Sequence, residues 1–217
     1  MLGVLLAYAL LHNVSLSRVQ LIFFAVVIPS IILHEISHGV AALAFGDDTA
    51  KRAGRITLNP VAHVDLFGTI ILPALLILAN GPVFGFAKPV PVNPNRMRNP
   101  RNDGLVVSLV GPATNLALAV ATGVAWRIYR PHGTVGDVLY IAGFANVILA
   151  VFNLIPIPPL DGSAVLERLM PSSWWPGYLK FRQYSMPILI IALFLVPGLF
   201  GRILNPALSH WQRLFFT

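Results

Sequence analysis

Long runs without charged residues are the feature that most constrains how this chain can fold. Three of them are long enough to cross a bilayer, namely residues 104–126, 138–160 and 183–201. A spanning helix needs about 20 predominantly apolar residues. Only 11% of the 217 residues are charged, whereas soluble domains carry about 25%. Lipid must therefore be the solvent for much of this chain.

A fourth charge-free run, residues 19–33, is too short to span unless its helix continues through His34 to Phe45. That continuation places His34, Glu35 and His38 at membrane depth, where ionisable side chains are costly and indicate a functional site. We predict an all-α polytopic membrane protein with about five to six transmembrane helices. It forms one integral membrane domain over residues 1–217, with a catalytic core at about 18–165. A C-terminal interfacial segment and helix follow over 166–217, the helix itself at about 184–203.

The segment 66–80 is apolar, but it is short for a span and contains Pro73. Basic loops stay on the cytoplasmic side of a membrane, and the loops on both sides of this segment are basic. Their cations are Lys51, Arg52, Arg55, Lys88, Arg96, Arg98 and Arg101. We therefore expect a re-entrant or short extended segment that enters and leaves on one side. The stretch Met1–Leu11 is predicted to form a further short helix. The net charge of +7 lies in such loops, so nucleic-acid binding is not predicted.

Residues 34–38, His-Glu-Ile-Ser-His, form an HExxH motif on the predicted helix. Positions i and i+4 share a helix face, so His34 and His38 can bind the same ion. Glu35 is offset by about 100° and can reach a metal-bound water without binding the metal. Zinc lowers the pKa of that water to about 7, and Glu35 would accept its proton during attack on a carbonyl. HExxH alone occurs by chance, but its position in an apolar span favours a metal site.

A catalytic zinc needs a third protein ligand and an open position for water. The chain has no cysteine, so this ligand must be His, Asp or Glu. Interfacial or solvated positions are expected for five candidates, namely His12, His132, His210, Asp47 and Asp48. Asp161 is preferred because Pro156 and Pro158 stop the preceding helix and Gly162 allows a tight backbone. If 66–80 re-enters, the next two helices bring Asp161 to the side of the histidines.

Four stretches together resemble the site-2 protease family of intramembrane zinc metalloproteases: residues 34–38, 54–65, 111–115 and 153–162. The resemblance implies zinc ligation by His34, His38 and Asp161, with Glu35 as the catalytic base. It also implies a transmembrane protein or peptide substrate that is cut within or near the bilayer, for signalling or for removal of signal-peptide remnants. The expected location is the cell membrane, with the active site nearer the cytoplasmic face.

Two asparagines, Asn115 and Asn153, lie in helices that are otherwise apolar. Either could hold the scissile carbonyl or the developing oxyanion, and either could instead form hydrogen bonds between spans. His63 and Asp65 precede the re-entrant segment and could orient a ligand or cap a turn, of which the structural role is favoured.

A non-enzymatic metal-binding transporter or sensor is the alternative function. It would use the same histidines without needing Glu35. Transporters often contain repeated halves, and the sequence shows no internal repeat. The sequence predicts no particular oligomeric state.

Overall fold

The computed structural model describes residues 17–78, 85–195 and 198–216. These ranges are largely helical and contain no β-strand. Their α-helices are α1 (Arg18–Ala44), α2 (Thr49–Arg52), α3 (Leu72–Leu78), α4 (Pro100–Tyr129), α5 (Gly133–Asn153), α6 (Ser163–Leu169), α7 (Trp175–Leu195) and α8 (Leu199–Phe215). Short 3-10 turns lie at Pro60–His63, Pro94–Arg96 and Ser172–Trp174, and a π-helix at Leu66–Ile71.

Three helices in the described ranges are long and apolar enough to cross a membrane. They are α1, α4 and α5, with 27, 30 and 21 residues. The three pack against one another and form the bundle that carries the site. The all-α prediction is confirmed, and three of the five to six predicted spans meet the length and apolarity of a membrane helix. The predicted helix at Met1–Leu11 lies outside the described residues.

Helix α1 begins at a capping box. The Ser17 hydroxyl accepts the Gln20 N–H at 3.3 Å, and the Gln20 side chain accepts the Ser17 N–H at 2.8 Å. This reciprocal pair satisfies two donors that a helix start leaves free. At 1.5 Å per residue the helix is about 40 Å long, which exceeds the hydrocarbon thickness of about 30 Å. The HExxH motif therefore lies within one continuous helix, as predicted.

The segment after Asp65 is helical rather than extended. Asp65 caps it, because its Oδ1 accepts the Gly68 N–H at 2.7 Å. The described part of this segment, residues 66–78, has 13 positions and is about 20 Å long at helical rise. This described part is shorter than the hydrocarbon thickness of about 30 Å.

The chain comes back beside the start of this segment. The Phe86 N–H donates to the Gly68 carbonyl at 3.0 Å, and the Lys88 N–H donates to the His63 carbonyl at 2.9 Å. Two backbone hydrogen bonds thus join the residues that precede the segment to those that follow it.

The predicted bounds of the last helix, 184–203, are wrong. Helix α7 begins at Trp175, because polar residues upstream of the apolar run continue the same helix. It ends at Leu195, and α8 begins after Gly198, whose φ of 80° breaks the helical path. The run of residues without charge located the apolar part of α7. It carried no information on where the helix starts or breaks.

Helix α8 is amphipathic and packs its apolar face on the bundle. Leu208 and Trp211 are buried against Ala119 of α4 and Val147 of α5. The Trp211 indole N–H donates to the Ala119 carbonyl at 2.9 Å. These contacts attach α8 to the α4–α5 pair.

Candidate metal centre

Three predicted ligands lie close together at the α1–α4–α5 bundle. His34 Nε2 is 3.1 Å from His38 Nε2 and 3.1 Å from Asp161 Oδ2. His38 Nε2 is 3.4 Å from the same carboxylate oxygen. Both histidines are buried and Asp161 is partly buried. The helical spacing of α1 supplies the histidine pair, and the proline-rich turn after α5 brings in the carboxylate.

The other nitrogen of each imidazole is held by the bundle. His34 Nδ1 is 2.6 Å from Asn115 Oδ1, and His38 Nδ1 is 2.6 Å from the Val107 carbonyl oxygen. A carbonyl oxygen only accepts, so each Nδ1 carries a proton, and in the neutral imidazole Nε2 then keeps the lone pair that a metal binds. Partners of this kind fix the tautomer and ring orientation of metal-binding histidines.

The arrangement of these atoms suits a metal ion. Asp161 Oδ2 is buried and faces the Nε2 atoms of His34 and His38. When both imidazoles are neutral, two lone pairs and a carboxylate oxygen face one another at 3.1–3.4 Å, and a shared metal ion would bind all three. A buried carboxylate without a partner is strongly disfavoured. Two imidazoles and one carboxylate are a ligand set that catalytic zinc uses, with a fourth position left for water, so these residues fit zinc.

Two glycines make room for the ligands. A Cβ at Gly111 of α4 would overlap His38 Nε2 and lie 2.7 Å from His34 Cε1. A Cβ at Gly162 would overlap the Leu154 backbone and lie 2.7 Å from the Ile155 carbonyl oxygen. The Gly162 N–H also donates to the Asn153 carbonyl at 2.7 Å. The turn that carries Asp161 can therefore fold tightly onto the end of α5.

Glu35 is held by the backbone of a loop segment. Its Oε2 accepts the Val90 N–H at 2.8 Å. Val90 belongs to the proline-rich segment, defined here as residues 85–93, which has no regular secondary structure. Buried Arg55 fixes this segment by donating to the Lys88 carbonyl at 2.6 Å. One carboxylate oxygen is thus engaged by backbone, and the other remains to take a proton.

The prediction that Asp47 is solvated is wrong. Asp47 is fully buried and accepts the Asn93 N–H at 2.6 Å and the Thr49 N–H at 3.0 Å. Burial raises the pKa of this carboxyl, but the hydrogen bonds from Thr49 and Asn93 outweigh it and hold the pKa below its usual value. Asp47 therefore ties the end of α1 to the proline-rich segment. The bond to Asn93 leaves no local sequence signal, since the two residues are distant in the chain.

Asn115 lies fully buried in the bundle, and both ends of its amide are used. Its Oδ1 contacts His34, and its Nδ2 donates to Asn146 Oδ1 of α5 at 2.8 Å. Of its two predicted roles, these contacts favour hydrogen bonding between spans. Sequence reasoning missed Asn146, although a polar residue two turns before Asn153 in an apolar run was a usable signal. The Asn153 side chain donates to the Leu149 carbonyl of its own helix at 2.9 Å.

His63 and Asp65 take structural positions. His63 Nε2 is 2.9 Å from the Thr57 carbonyl oxygen, and Asp65 caps the π-helix. Among the described residues, the group that can share a metal ion consists of His34, His38 and Asp161. The structural role that the sequence favoured for His63 and Asp65 agrees with these contacts.

Comparisons with known proteins agree on one protein family. The model of peptidase family M50 matches residues 129–196. YwhC of Bacillus subtilis is 38% identical over 179 residues, which cover 78% of this chain and 78% of YwhC. The chain belongs to peptidase family M50, the site-2 protease family. Rip2 of Mycolicibacterium smegmatis is 31% identical over 184 residues, which cover 84% of this chain and 66% of Rip2. No solved structure gave a significant match.

Membership of family M50 decides between the two predicted functions. The similar proteins are named zinc metalloproteases, so the chain is a zinc metalloprotease rather than a transporter or sensor. The resemblance inferred from the four sequence stretches is confirmed. Together with the three apolar helices, the family also identifies a membrane protein.

Proposed function

We propose that this M50 protein is an intramembrane endopeptidase that hydrolyses peptide bonds of transmembrane proteins or peptides. His34, His38 and Asp161 are its zinc ligands. The observation that supports this best is the convergence of His34 Nε2, His38 Nε2 and Asp161 Oδ2 within 4.8 Å, among helices of membrane-crossing length. A centre enclosed by such helices is reached most easily by a chain that is itself in the bilayer or at its surface.

Each side chain has a definite task in this proposal. Zinc supplies a Lewis acid that polarises the scissile carbonyl and makes water acidic enough to be deprotonated near neutral pH. Glu35 takes the proton of the attacking water and later delivers it to the leaving amine. The Val90 N–H holds Glu35 at one oxygen throughout. Asn153 is the candidate for holding the scissile carbonyl, once its amide turns from the Leu149 carbonyl to the substrate.

The proposed topology is a multi-pass protein of the cell membrane with its active site nearer the cytoplasmic face. His38 lies seven residues before Phe45, about 10 Å along the helix. The end of α1 is followed by basic loops, which are retained in the cytoplasm. The hydrogen bond between Lys88 and His63 supports a re-entrant segment after Asp65. In this arrangement the core at about 18–165 and the C-terminal helices form one membrane domain.

The test uses the purified full chain in lipid nanodiscs with a reporter transmembrane substrate. Wild type should contain about one zinc ion per chain and cleave the reporter. Glu35→Gln should lose at least about 100-fold in cleavage rate, because a general base contributes roughly that much, and should keep its zinc. Glu167→Gln makes the same change on α6, outside the site, and should cleave like wild type. Normal cleavage by Glu35→Gln would refute the mechanism.

A second measurement addresses the substrate class. The same scissile sequence is offered once within an apolar span and once in a water-soluble peptide. The span-borne substrate should be cleaved much faster. Equal rates for the two would contradict intramembrane action and leave the metalloprotease activity in place.

A further inference from the structure

A buried chain of hydrogen bonds links all three helices of the bundle to the metal centre. It runs from the Ala142 carbonyl to Asn146 on α5, then to Asn115 on α4, and ends at His34 on α1. Asn146 and Asn115 are 2% and 0% exposed, so water cannot substitute for a missing partner. Every polar atom in this chain must therefore be matched by the protein.

The direction of this chain is fixed at its α5 end. The Ala142 carbonyl can only accept, so the amide nitrogen of Asn146 must face it, at 2.8 Å. The Asn146 oxygen then faces Asn115, whose amide nitrogen donates to it at 2.8 Å. Asn115 is left with its oxygen toward His34, at 2.6 Å. That oxygen accepts, so the proton of His34 lies on Nδ1.

Ser30 provides a second contact that fixes the orientation of the Asn146 amide. The Ser30 hydroxyl donates to the Val26 carbonyl at 2.7 Å, which leaves its oxygen to accept from Asn146 Nδ2 at 2.9 Å. Both hydrogens of the Asn146 amide are thus used. A reversed amide would set its oxygen against the Ala142 carbonyl and its nitrogen against the nitrogen of Asn115.

We propose that Asn146 is a positioning residue that fixes the tautomer of His34. Asn146 accepts the shorter of two hydrogen bonds from Asn115 Nδ2, at 2.8 Å against 3.5 Å to the Ser30 carbonyl. By holding the Asn115 amide in one orientation, it keeps the proton on Nδ1 and the lone pair on Nε2, where zinc is bound. A reversed Asn115 would present hydrogens to Nδ1 and favour the tautomer with a proton on Nε2, which cannot bind the metal. The inference rests on the proposed function only in taking His34 Nε2 as a zinc ligand.

Asn146→Leu tests this directly, because leucine has a similar size and no polar atoms. Zinc affinity of the full chain in nanodiscs, measured by competition with a chelator, should fall about 10- to 100-fold, as for other partners of metal-binding histidines. In the zinc-free chain, nitrogen NMR should find His34 protonated at Nδ1 in wild type and as a tautomer mixture in the variant. Thr114→Val removes only a hydrogen bond within α4 and should match wild type in both measurements.

A second variant separates the tautomer from packing. In Asn115→Asp the new carboxylate can only accept, so it favours a proton on His34 Nδ1 whatever its orientation. In that background Asn146→Leu should cause no further loss of zinc affinity. An equal loss in both backgrounds would overturn the proposal, since packing damage would then explain it.

Ser30→Ala decides the question if Asn146→Leu does not fold. It removes one of the two acceptors of Asn146 and should cause a smaller loss of zinc affinity that disappears in the Asn115→Asp background. The proposal would be overturned if a folded Asn146→Leu variant kept the wild-type zinc affinity and the wild-type His34 tautomer. If Asn146→Leu does not fold, the same result in Ser30→Ala would overturn it. A wild type that binds zinc without cleaving would refute the proposed function alone.

Discussion

The bundle side and the loop side of the metal centre differ in what holds them. On the bundle side, His34 and His38 project from α1 and are fixed through Nδ1 by groups of α4. On the loop side, Asp161 lies in a turn, and Glu35 is held by a backbone N–H of the proline-rich segment. Groups on packed helices cannot shift without moving the bundle, whereas loops can adjust. The comparison indicates a rigid side that carries the two histidines and an adjustable side that carries Asp161 and Glu35.

Crowding the bundle side should have the largest effect. A Cβ at Gly111 would overlap His38 and crowd His34, and overpacking of this kind costs about 1–3 kcal/mol. We expect Gly111→Ala to weaken zinc binding by up to about 100-fold, measured by chelator competition. Gly104→Ala on the same helix meets no atom within 4 Å and should bind zinc normally. Normal binding by Gly111→Ala would show that the bundle side can adjust.

Crowding the loop side should cost less. Gly162→Ala would push the Asp161 turn away from the Leu154 backbone, but a turn can shift where a packed helix cannot. We expect about a tenfold loss of zinc affinity, with the histidine pair still in place. Gly177→Ala, which meets no atom within 4 Å, is the control in the same assay. A loss equal to that of Gly111→Ala would erase the distinction between the two sides.

Removing the backbone donor to Glu35 should affect the rate without affecting the metal. Val90→Pro deletes the N–H that the carboxylate accepts, a charge-assisted bond of about 1.5 kcal/mol. We expect kcat to fall by no more than about tenfold at unchanged zinc content. Val92→Pro adds a proline to the same segment and spares that bond, so its kcat should stay near wild type. Loss of zinc in Val90→Pro would mean that the segment supports the metal ligands as well.

The smallest effect is expected for Asp47, which accepts a hydrogen bond from the proline-rich segment. The pKa of Asp47 is lowered in the folded protein, so its carboxylate form stabilises the fold above the usual pKa of 3.8. That stabilisation is lost as pH falls through the lower folded value. Asp47→Asn should therefore lower the apparent Tm by a few degrees at pH 7, and this difference should vanish in acid. Asp137→Asn, which breaks one exposed pair with Arg18, should change Tm little.

Sequence reasoning succeeded where the signal was local. The runs of residues without charge located α1, α4 and α5. The HExxH spacing placed both histidines on one face of α1. A proline stop and a glycine predicted a turn that can face inward, and the structure places Asp161 of that turn beside the histidines. Hydropathy could not show that α7 begins at Trp175 or that α8 is a separate helix.

Partners from distant parts of the chain escaped detection. His34 and Asn115 are separated by 81 positions, and Glu35 and Val90 by 55. A backbone N–H has no identity in the sequence, so nothing marked Val90 as the partner of Glu35. The burial of Asp47 was missed for the same reason, because its acceptor role depends on where the Asn93 amide lies.

By itself, the sequence determined a helical membrane chain. It also supplied two histidines, a glutamate and a distant aspartate of the kinds that zinc-dependent hydrolysis uses. These features can be read from the sequence because the helix period and the cost of charge in lipid act locally. Only the tertiary structure decided how those groups are held. Helix packing selects the acceptors at each Nδ1, the amide that holds Glu35 and the direction of the Asn146–Asn115 chain. Hydrogen bonds are directional and short, so these partners exist only once the three helices and the returning segment have met.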